Sequence, residues 1–465
     1  MLAHSLGHAT WLVETTGGVV LTDPVFSDPF EAGAVVSCPQ REIRVDAVPR
    51  PDLVFLSHRH LDHFDIPSLK QLDPSVPVYH ADDPLLAAGL RRLGFHDLHP
   101  LTPWTPVALD GGLRLLPTPS RAPLPEVGLV LEDPSGALFD QVDTVLTPQD
   151  VARLGQAVER LDVHLSMFAS QNFGVFLGES EDWTQTHAHN LNVALGLGAS
   201  LVVPASGGFR FADDIDWLNR HLFPVTPGDF RRDLGLLWPE QRCSLVDPGD
   251  SLAIGRETKI TAGTAPGTTM VQRDLDRLAH DPSAPVPALV DDNVSGHAQD
   301  LLEHGAAWLC SEGLGRFMQE EGPSDPVVAR HLQRGVVYRI DLVHPGGSQA
   351  FTWSFDPAGR IGLTVGEDSP TPNVRHAVAA SALLDMLAGT RPLFWTRTRS
   401  RRASLLRDVT RTAHGAAVGP ARVPDLLHHF VANHKAARLG PEQAELEYHG
   451  VVEPAEPDVT RWLAG

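Results

Sequence analysis

Four side chains of the kinds that bind metals in proteins lie within six residues of one another: His58, His60, Asp62 and His63. In an extended segment, side chains two residues apart share a face, so His58 and His60 can bind one cation. Asp62 and His63 then turn towards a second position across the bend that follows. Imidazole suits zinc or iron, and a carboxylate beside it suits iron, manganese or a water-activating zinc ion. The spacing therefore predicts a site for one or two metal ions.

A buried strand leads into this segment. Residues 52–56 read Asp-Leu-Val-Phe-Leu, with an apolar run that lacks polar alternation, as is typical of a strand buried on both faces. The alternative is a solvated, histidine-rich loop, but chance seldom puts this pattern directly behind an apolar strand. We interpret the segment as a metal-holding loop at the end of a strand.

The elements around the loop predict packed sheets. Residues 10–14 and 19–23 are strand-like runs on either side of the turn Gly17-Gly18, which indicates a β-hairpin. Further short strands alternate with helical stretches at 84–93, 148–161 and 187–197. The pattern predicts an α/β architecture in which two sheets pack together under outer helices.

The length of 465 residues exceeds what one hydrophobic core usually serves. Strand signals stop near residue 255, where a Thr- and Gly-rich stretch begins. We predict a metal-binding domain at 1–257, a helical connector at 258–330 and a C-terminal α+β domain at 331–465. In the last, we expect strands at 335–342 and 349–355 and a helix at 374–387. This domain resembles a sterol-carrier-type fold, which would offer an apolar tunnel or a substrate lid.

The charge balance restricts the partners. Lys and Arg number 37 against 58 Asp and Glu, and the net charge of −21 repels phosphate backbones and anionic membrane surfaces. No apolar run is long enough to span a bilayer, the N-terminus has no charged-then-apolar leader, and the three cysteines form no CxxC pair. We expect a cytoplasmic protein that binds a small-molecule substrate, and neither nucleic acid nor a membrane.

The metal-holding loop is similar to the HxHxDH signature of the metallo-β-lactamase superfamily, and residues 7–29 resemble the first hairpin of that superfamily. The resemblance implies a metallo-β-lactamase αββα sandwich followed by a smaller α+β domain. It also maps the bridging aspartate of the superfamily onto Asp143, a fifth ligand, since a carboxylate between two cations lowers their repulsion. It places His8 close to the site, and we predict catalytic roles for His8 and Asp62.

Two of the seven ligands that the resemblance implies are absent. Residues 117–122 contain no histidine, and the chain after the strand 201–204 continues Ala-Ser-Gly-Gly-Phe where a final histidine would follow. His164, which follows a predicted helix, is a candidate metal ligand that would complete the set, although a structural role is equally compatible with its position. His187 and His189 have ligand-like spacing, but we favour a solvated position for them on the first turn of a helix.

A narrower resemblance links residues 138–143, 198–209 and 246–252 to the metallo-β-lactamase part of the CMP-N-acetylneuraminate hydroxylases, an iron-dependent oxygenase group. Those enzymes receive electrons from a Rieske cluster, which needs paired Cys-x-His and Cys-x-x-His ligands, and this chain has no such set. The resemblance therefore implies a separate electron donor or a reducing substrate. In the same region, we predict that Ser206 and Arg210 bind the substrate.

Three functions follow from these residues. The favoured one is an iron-dependent oxygenase or oxidoreductase, mono- or dinuclear, acting on a small polar or anionic substrate, because mixed imidazole and carboxylate ligands with open positions suit dioxygen. The alternative is a zinc- or manganese-dependent hydrolase of an ester, lactone or phosphodiester. The third is a non-catalytic binding module, which the five retained ligands disfavour.

Overall fold

A computed structural model describes the chain except for residues 32, 123, 178–181, 321, 368–369, 389–390, 392–397, 406–410, 414–415, 419–424, 428 and 432–465. The chain forms two compact units. Unit 1 comprises residues 1–172 and 182–284, and unit 2 comprises residues 173–181 and 285–465. In the part of the chain described, no helix combines the length and the apolar character needed to cross a membrane.

Unit 1 contains eighteen described strands and six α-helices. The strands are β1 (Leu2–Gly7), β2 (Thr10–Thr15), β3 (Gly18–Thr22), β4 (Val35–Ser37), β5 (Gln40–Ile43), β6 (Leu53–Leu56), β7 (Val78–Ala81), β8 (Leu98–Leu101), β9 (Val107–Ala108), β10 (Arg114–Pro119), β11 (Val127–Asp133), β12 (Gly136–Asp140), β13 (Val163–Met167), β14 (Leu201–Ala205), β15 (Phe209–Phe211), β16 (Ser251–Ala253), β17 (Lys259–Thr261) and β18 (Thr268–Gln272). The helices are α1 (Ile66–Leu69), α2 (Pro84–Arg92), α3 (Pro148–Ala157), α4 (Trp183–Leu197), α5 (Asn219–Leu222) and α6 (Pro227–Leu237). Short 3-10 turns lie at Val45–Ala47, Asp110–Gly112, Asp213–Leu218 and Leu275–Leu278.

The two large sheets of unit 1 form a sandwich. The first has the strand order β17-β16-β1-β2-β3-β6-β7-β8, and the second has the order β14-β13-β12-β11-β10-β9. Alternate side chains such as Val13, Phe55, Leu129 and Val163 meet between them in one buried core. The outer face of the second sheet is covered by apolar side chains of α3 and α4, including Leu154. The predicted αββα architecture of this part is confirmed.

The helices of unit 1 begin where the sequence supplies caps. Thr147 and Asp150 form a capping box at the start of α3, with Pro148 in the first turn. Helix α4 begins four residues earlier than expected and ends at Gly198, whose φ of 59° is the left-handed conformation that glycine adopts readily. His187 lies on the first part of α4, where its Nε2 contacts Asp233 Oδ2 at 2.9 Å rather than facing solvent alone.

Unit 2 is an α+β domain built on one five-stranded sheet of order β21-β20-β19-β22-β23. Its strands are β19 (Val337–His344), β20 (Gly347–Phe355), β21 (Ile361–Val365), β22 (Val374–Ala379) and β23 (Arg401–Leu405), with a separate pair β24 (Arg411–Ala413) and β25 (Ala416–Val418). Its helices are α7 (Ala306–Trp308), α8 (Leu314–Glu320), α9 (Pro326–Arg334) and α10 (Ala380–Ala388), with π-helical turns at Leu301–Gly305 and Leu309–Gly313 and 3-10 turns at Phe173–Leu177 and Gly322–Ser324.

Three expectations from the sequence need correction here. The units divide after residue 284 and not at 257, because β17 pairs with β16 and β18 pairs with β5, so both strands belong to unit 1. The helices expected in a connector at 258–330 instead pack into the core of unit 2. The expected helix at 374–387 is a strand up to Ala379, because Val374 to Ala379 pair in parallel with β19 before α10 begins. A sterol-carrier-like identity of unit 2 stays a prediction.

A buried polar cluster lies inside unit 2. The hydroxyl of Tyr338 lies 2.8 Å from His376 Nδ1 and 3.1 Å from Asp425 Oδ1. Arg401 forms an ion pair with Asp425 at 2.7 Å and lies 3.1 Å from His376 Nε2. Burial, with the charge of Asp425, raises the pKa of Tyr338 well above its usual value. The cluster joins β19, β22 and β23 to the segment that starts at Asp425.

Candidate metal centre

Four strands of unit 1 turn sharply at the same edge of the sandwich. The residues that follow β1, β3, β12 and β14 include non-glycine residues with positive φ: His8 (51°), Asp23 (34°), Val142 (53°) and Ser206 (64°). This backbone conformation costs an ordinary residue of order 1 kcal/mol or more, and it concentrates at functional sites where the surrounding structure holds it in place. The strand ends therefore indicate where the chemistry of unit 1 lies.

The first group of ligand atoms at this edge comes from His58, His60 and Asp143. Their ligand atoms all lie within 4.8 Å of one another, and His58 Nε2 is 2.8 Å from His60 Nδ1. His58 is buried, whereas His60 is exposed, which leaves one side of the group open. This arrangement supports the prediction that His58 and His60 share a cation.

The second group comes from His8, Asp62 and His63, whose ligand atoms also lie within 4.8 Å of one another. Asp62 Oδ2 lies 3.3 Å from His8 Nε2 and 3.6 Å from His63 Nε2. Asp143 Oδ2 is 3.5 Å from His63 Nε2, so Asp143 lies beside both groups. The structure thus brings together five predicted ligands and His8, in two adjacent positions.

A buried carboxylate outside the ligand groups orients two of the imidazoles. Asp23 accepts hydrogen bonds from Nδ1 of His63 (2.8 Å) and from Oγ of Ser57 (2.6 Å). Ser57 Oγ in turn lies 2.9 Å from Nδ1 of His58. These contacts engage the Nδ1 atoms and leave the Nε2 atoms of both histidines directed at the ligand groups, as in carboxylate–histidine–metal arrangements.

The ligand groups contain ring nitrogens that make no hydrogen bond within the protein and that a bound cation would engage. Among the described residues, both ring nitrogens of His8 and Nε2 of His63 are buried without a hydrogen-bond partner. Buried polar atoms are nearly always paired in folded proteins, and a bound cation would satisfy such nitrogen atoms. The donor set of imidazoles and carboxylates is the one that transition metals take in proteins.

The ionisable groups of the centre shift the pKa values of one another. Burial alone would raise the pKa of Asp143, but the His63 imidazole opposes burial and holds it at about 2. For Asp62, the same imidazole and His8 outweigh burial and lower the pKa. Burial and the neighbouring His63 and His60 lower the pKa of His58 well below its usual value. Burial alone would lower the pKa of His63, but Asp62 and Asp143 raise it well above its usual value, so this ring has to lose a proton when it binds a cation. The two anionic carboxylates and the neutral His58 already have the protonation states in which such side chains bind metals.

One further carboxylate at the centre has no recognisable signal in the sequence. Glu126 is buried directly before β11, and its Oε1 lies 3.7 Å from His58 Nδ1. Ser120 Oγ donates a hydrogen bond to Glu126 Oε2 at 2.7 Å, within the segment where a third histidine was missing. Burial and the nearby charge of Asp143 raise the pKa of Glu126 to about 7. A single glutamate ahead of a strand has no local pattern that distinguishes it from a surface residue.

His164 lies outside both ligand groups, which corrects its expected role as a ligand. Val163 and Leu165 of β13 face the core between the sheets, so the side chain of His164 faces the other way. Its Nε2 lies 2.8 Å from Gln141 Oε1, and its ring stacks on Phe139 at 5.3 Å. Burial lowers the pKa of His164 to about 3, so the ring is neutral.

The two predicted substrate-binding residues differ in their surroundings. Ser206 is buried at the end of β14 and lines a cavity together with His8. Arg210, on β15, forms an ion pair with Asp274 and donates to the backbone oxygen of Phe211 at 3.3 Å. The guanidinium of Arg210 is thus engaged within the protein, and its role in substrate binding stays a prediction.

Comparisons with known proteins agree with the fold. Residues 19–204 match the family model described as a beta-lactamase superfamily domain. The chain is 24% identical to a protein of Mycolicibacterium smegmatis that is described as a Rieske 2Fe-2S iron–sulfur protein. The alignment spans 421 residues, which is 83% of this chain and 77% of that relative. With a protein of Mycobacterium tuberculosis described in the same words, the chain shares 27% over 179 residues, which is 36% of this chain and about a third (34%) of that relative.

Solved structures with a similar fold include an isothiocyanate hydrolase from Delia radicum gut bacteria, which aligns with a TM-score of 0.41 and 17% identity over 55% of this chain and 100% of the other. A second is CmlA, a diiron beta-hydroxylase from Streptomyces venezuelae, with a TM-score of 0.35 and 16% identity over 44% of this chain and 45% of the other.

Proposed function

Because residues 19–204 match a beta-lactamase superfamily domain, we propose that the protein is a metal-dependent enzyme, and specifically an iron-dependent oxygenase or oxidoreductase acting on a small polar substrate. One observation carries the proposal. Each ligand group contains two histidines and one carboxylate: His58 and His60 with Asp143, and His8 and His63 with Asp62. Two histidines and one carboxylate with open positions are the ligand set of non-haem iron(II) oxygenases.

The open side of the centre supports the same proposal. His60 is exposed, and Asp62 and Asp143 are partly accessible, so substrate and a small co-substrate can reach both groups. The buried side holds Asp23, Ser57 and Glu126, which fix the histidine rings. Iron bound here would supply the redox chemistry with dioxygen.

The protein residues would then perform three tasks. Asp62 and Asp143 offset the charge of the cations, and Asp23 orients His63. Glu126, whose pKa is raised to about 7, is able to hold or release a proton at a carboxyl oxygen beside His58. The electron donor is proposed to be a separate protein or a reducing substrate, because the chain has three cysteines and none in a Cys-x-His pair. The iron–sulfur description of the mycobacterial relatives supports a redox role of this kind.

A zinc- or manganese-dependent hydrolase is the second candidate function. The observation that favours it is Glu126, a buried carboxylate with a pKa near neutrality beside the ligand groups, since a general base is most effective when its pKa lies near the working pH. In this reading Glu126 would accept the proton of an attacking water, and the substrate would be an ester, lactone or phosphodiester.

Metal analysis of protein purified without chelators tests the proposal. We expect iron to predominate, with an optical spectrum that changes when dioxygen is admitted to the reduced protein. Zinc or manganese together with esterase or phosphodiesterase turnover would instead establish the hydrolase. A folded protein that stays metal-free after incubation with each of these ions would refute both.

The variant His60→Ala tests the site itself, with His4→Ala as the matched control. His4 is a buried histidine of β1 that contacts Ser251 and Glu14 and belongs to neither ligand group. We expect His60→Ala to lose most of its bound metal and His4→Ala to retain it. Equal metal contents in the two variants would show that the ligand groups are assigned wrongly.

A further inference from the structure

A small cavity lies beside the second ligand group. Its volume is about 50 Å³, and it sits where β1 and β14 end. His8 lines the cavity and also belongs to the group with Asp62 and His63, so a molecule in the cavity would touch a residue of the centre. The remaining lining includes Trp11, Ser206, Phe168, Pro204 and Leu245.

Two hydrogen-bond donors of the lining have no partner in the described part of the chain. Trp11 is only 3% exposed, yet its indole N–H makes no hydrogen bond. Ser206 is also buried, and its hydroxyl makes no hydrogen bond to another described residue. Leaving a buried donor unpaired costs about 1–3 kcal/mol, so an acceptor in the cavity would stabilise it.

The cavity exists because the residue at the end of β14 is small. Ser206 stands in the segment where the superfamily resemblance places a final histidine, and an imidazole there would need much more space than a hydroxymethyl group. Gly208 allows this segment to pack closely against His8, because a Cβ at this position would come within 3.1 Å of His8 Cα. His8 supplies the second group with an imidazole from β1, and Ser206 leaves a hollow beside it.

The walls select an uncharged group. Besides His8, the charged side chain of the lining is Asp247, which forms an ion pair with Arg273. No Lys or Arg is among the lining residues. Among the lining side chains, an anion would therefore meet the carboxylate of Asp247 and no Lys or Arg, while Phe168 and Pro204 provide apolar contact. Since a water molecule occupies about 30 Å³ of liquid, the space suits a group of only a few heavy atoms.

We propose that this cavity binds a neutral carbonyl or amide group of the substrate, with the Trp11 N–H and the Ser206 hydroxyl as donors to its oxygen. The group would be held against His8, which fixes the rest of the substrate next to the second cation position. This proposal rests on the proposed function, because the bound group is taken to belong to the substrate of that enzyme. Its binding test, however, does not depend on turnover.

Acetamide is the probe, and acetate of the same size and shape is its charged counterpart. Each is titrated into full-length protein that has been incubated with iron(II) and labelled with ¹⁵N in the tryptophan indoles, and the Trp11 signal is identified by its loss in Trp11→Phe. We expect acetamide to shift the Trp11 indole resonance in a saturable manner and acetate to leave it unmoved. An unmoved resonance with acetamide, or equal shifts with both probes, would overturn the proposal.

Variants test the two donors separately. Ser206→Ala should weaken acetamide binding by roughly fivefold to tenfold, as expected for one lost hydrogen bond, when the Trp11 shift is followed. The control is Trp104→Phe, which removes an indole that packs under Arg153. It should leave acetamide binding unchanged, and a loss equal to that of Ser206→Ala would contradict the assignment.

Metal content is measured on the same samples, so that the two proposals fail separately. If Trp11 responds to acetamide while the protein binds no iron, the cavity is confirmed as a binding site and the oxygenase proposal is refuted. If iron is bound while Trp11 does not respond, the oxygenase proposal stands and the cavity assignment is wrong.

Discussion

At the scale of single residues, the centre is defined by which ring nitrogens are paired and which are not. Nδ1 of His63 is committed to Asp23, and Nδ1 of His58 is committed to Ser57. Within the described structure, Nε2 of His63 and both nitrogens of His8 are buried and make no hydrogen bond, and the two Nε2 atoms lie 3.3–3.6 Å from the carboxylates of Asp62 and Asp143. A neutral imidazole carries one donor and one acceptor, so this pattern is costly without a bound cation and becomes favourable with one.

The substitution His8→Gln should remove one metal position and leave the other. His8 supplies one of the two imidazoles of the second group, whereas the first group does not contain it. We expect the variant to bind about one metal ion per chain fewer than the parent protein, as measured by elemental analysis. The matched control His4→Gln should bind as much as the parent, and the same stoichiometry in His8→Gln would show that His8 is not a ligand.

Asp23→Asn should weaken metal binding without removing a ligand. The amide keeps nearly the size of the carboxylate but lacks the charge that holds the N–H of His63. Loss of such a supporting carboxylate typically lowers metal affinity about 10- to 100-fold. Competition with a chromophoric chelator measures the affinity, and an affinity within twofold of the parent would contradict the orienting role.

At the scale of elements, the loop between β12 and α3 carries Asp143 to the centre and is held by its neighbours. Gln141 donates from Nε2 to the backbone oxygen of Thr144 at 2.9 Å, and its Oε1 lies 2.8 Å from His164 Nε2. Val142 adopts a positive φ between them. His164 therefore acts on the centre through the position of a loop, because its strand turns it away from the ligand groups.

His164 should also make stability depend on pH. Burial lowers its folded-state pKa to about 3, whereas an unfolded histidine titrates near 6.5. Below pH 6.5 the unfolded chain binds a proton that the folded chain does not, so stability is full above that pH and falls as the pH decreases towards 3. The expected loss is about 1.4 kcal/mol per pH unit from this residue.

Urea unfolding of the parent and of His164→Gln at pH 7 and pH 5 isolates this contribution. The other histidines are common to both proteins, so the difference between them reports on His164. We expect the variant to be less stable than the parent at pH 7, with a gap that narrows at pH 5. A gap that is constant or widens would disprove the buried, neutral state of His164.

At the scale of the whole molecule, the chain separates into two units, and the metal centre and the buried polar cluster lie in different units. All of the ligand groups lie in unit 1, and the buried polar cluster of Tyr338, His376, Arg401 and Asp425 lies in unit 2. Removing one member of a buried ion pair leaves the other charge unpaired and typically costs about 3–5 kcal/mol. A substitution in this cluster should therefore lower the stability of unit 2.

Asp425→Ala provides that test. We expect this variant to lower the stability of the sheet that contains β19 and β22, because Arg401 and Tyr338 lose their shared partner. The measurement is backbone hydrogen exchange in these two strands, which should become faster. Metal content should equal that of the parent, since no ligand residue is changed. Unaltered exchange in these strands would mean that the cluster does not stabilise the sheet.

The sequence alone predicted the sandwich and most of its centre. The apolar run 53–56 followed by His58, His60, Asp62 and His63 predicts a strand and a ligand loop because both are local: spacing fixes which side chains share a face. Helix α3 and the hairpin of β2 and β3 were likewise predicted near their observed positions, since caps and turns also depend on neighbouring residues. The resemblance supplied Asp143.

Only the tertiary structure decided the rest. Glu126 and Asp23 come from segments far apart in sequence, and the sheet order, which no local pattern encodes, brings them to one edge. They lie there beside the ligand groups that contain His8, whose place near the centre was implied by the resemblance. His164 is a candidate ligand by residue type, with a structural role equally compatible with its position in the sequence, and the pairing of β13 determines which face it occupies. The sequence pattern at 374–379 predicts a helix, but these residues pair in parallel with β19, which lies more than thirty residues away, and such long-range pairing overrides local propensity. Residue types and spacing thus determined that this protein has a metal-binding loop, and the packing of distant strands determined which side chains complete it.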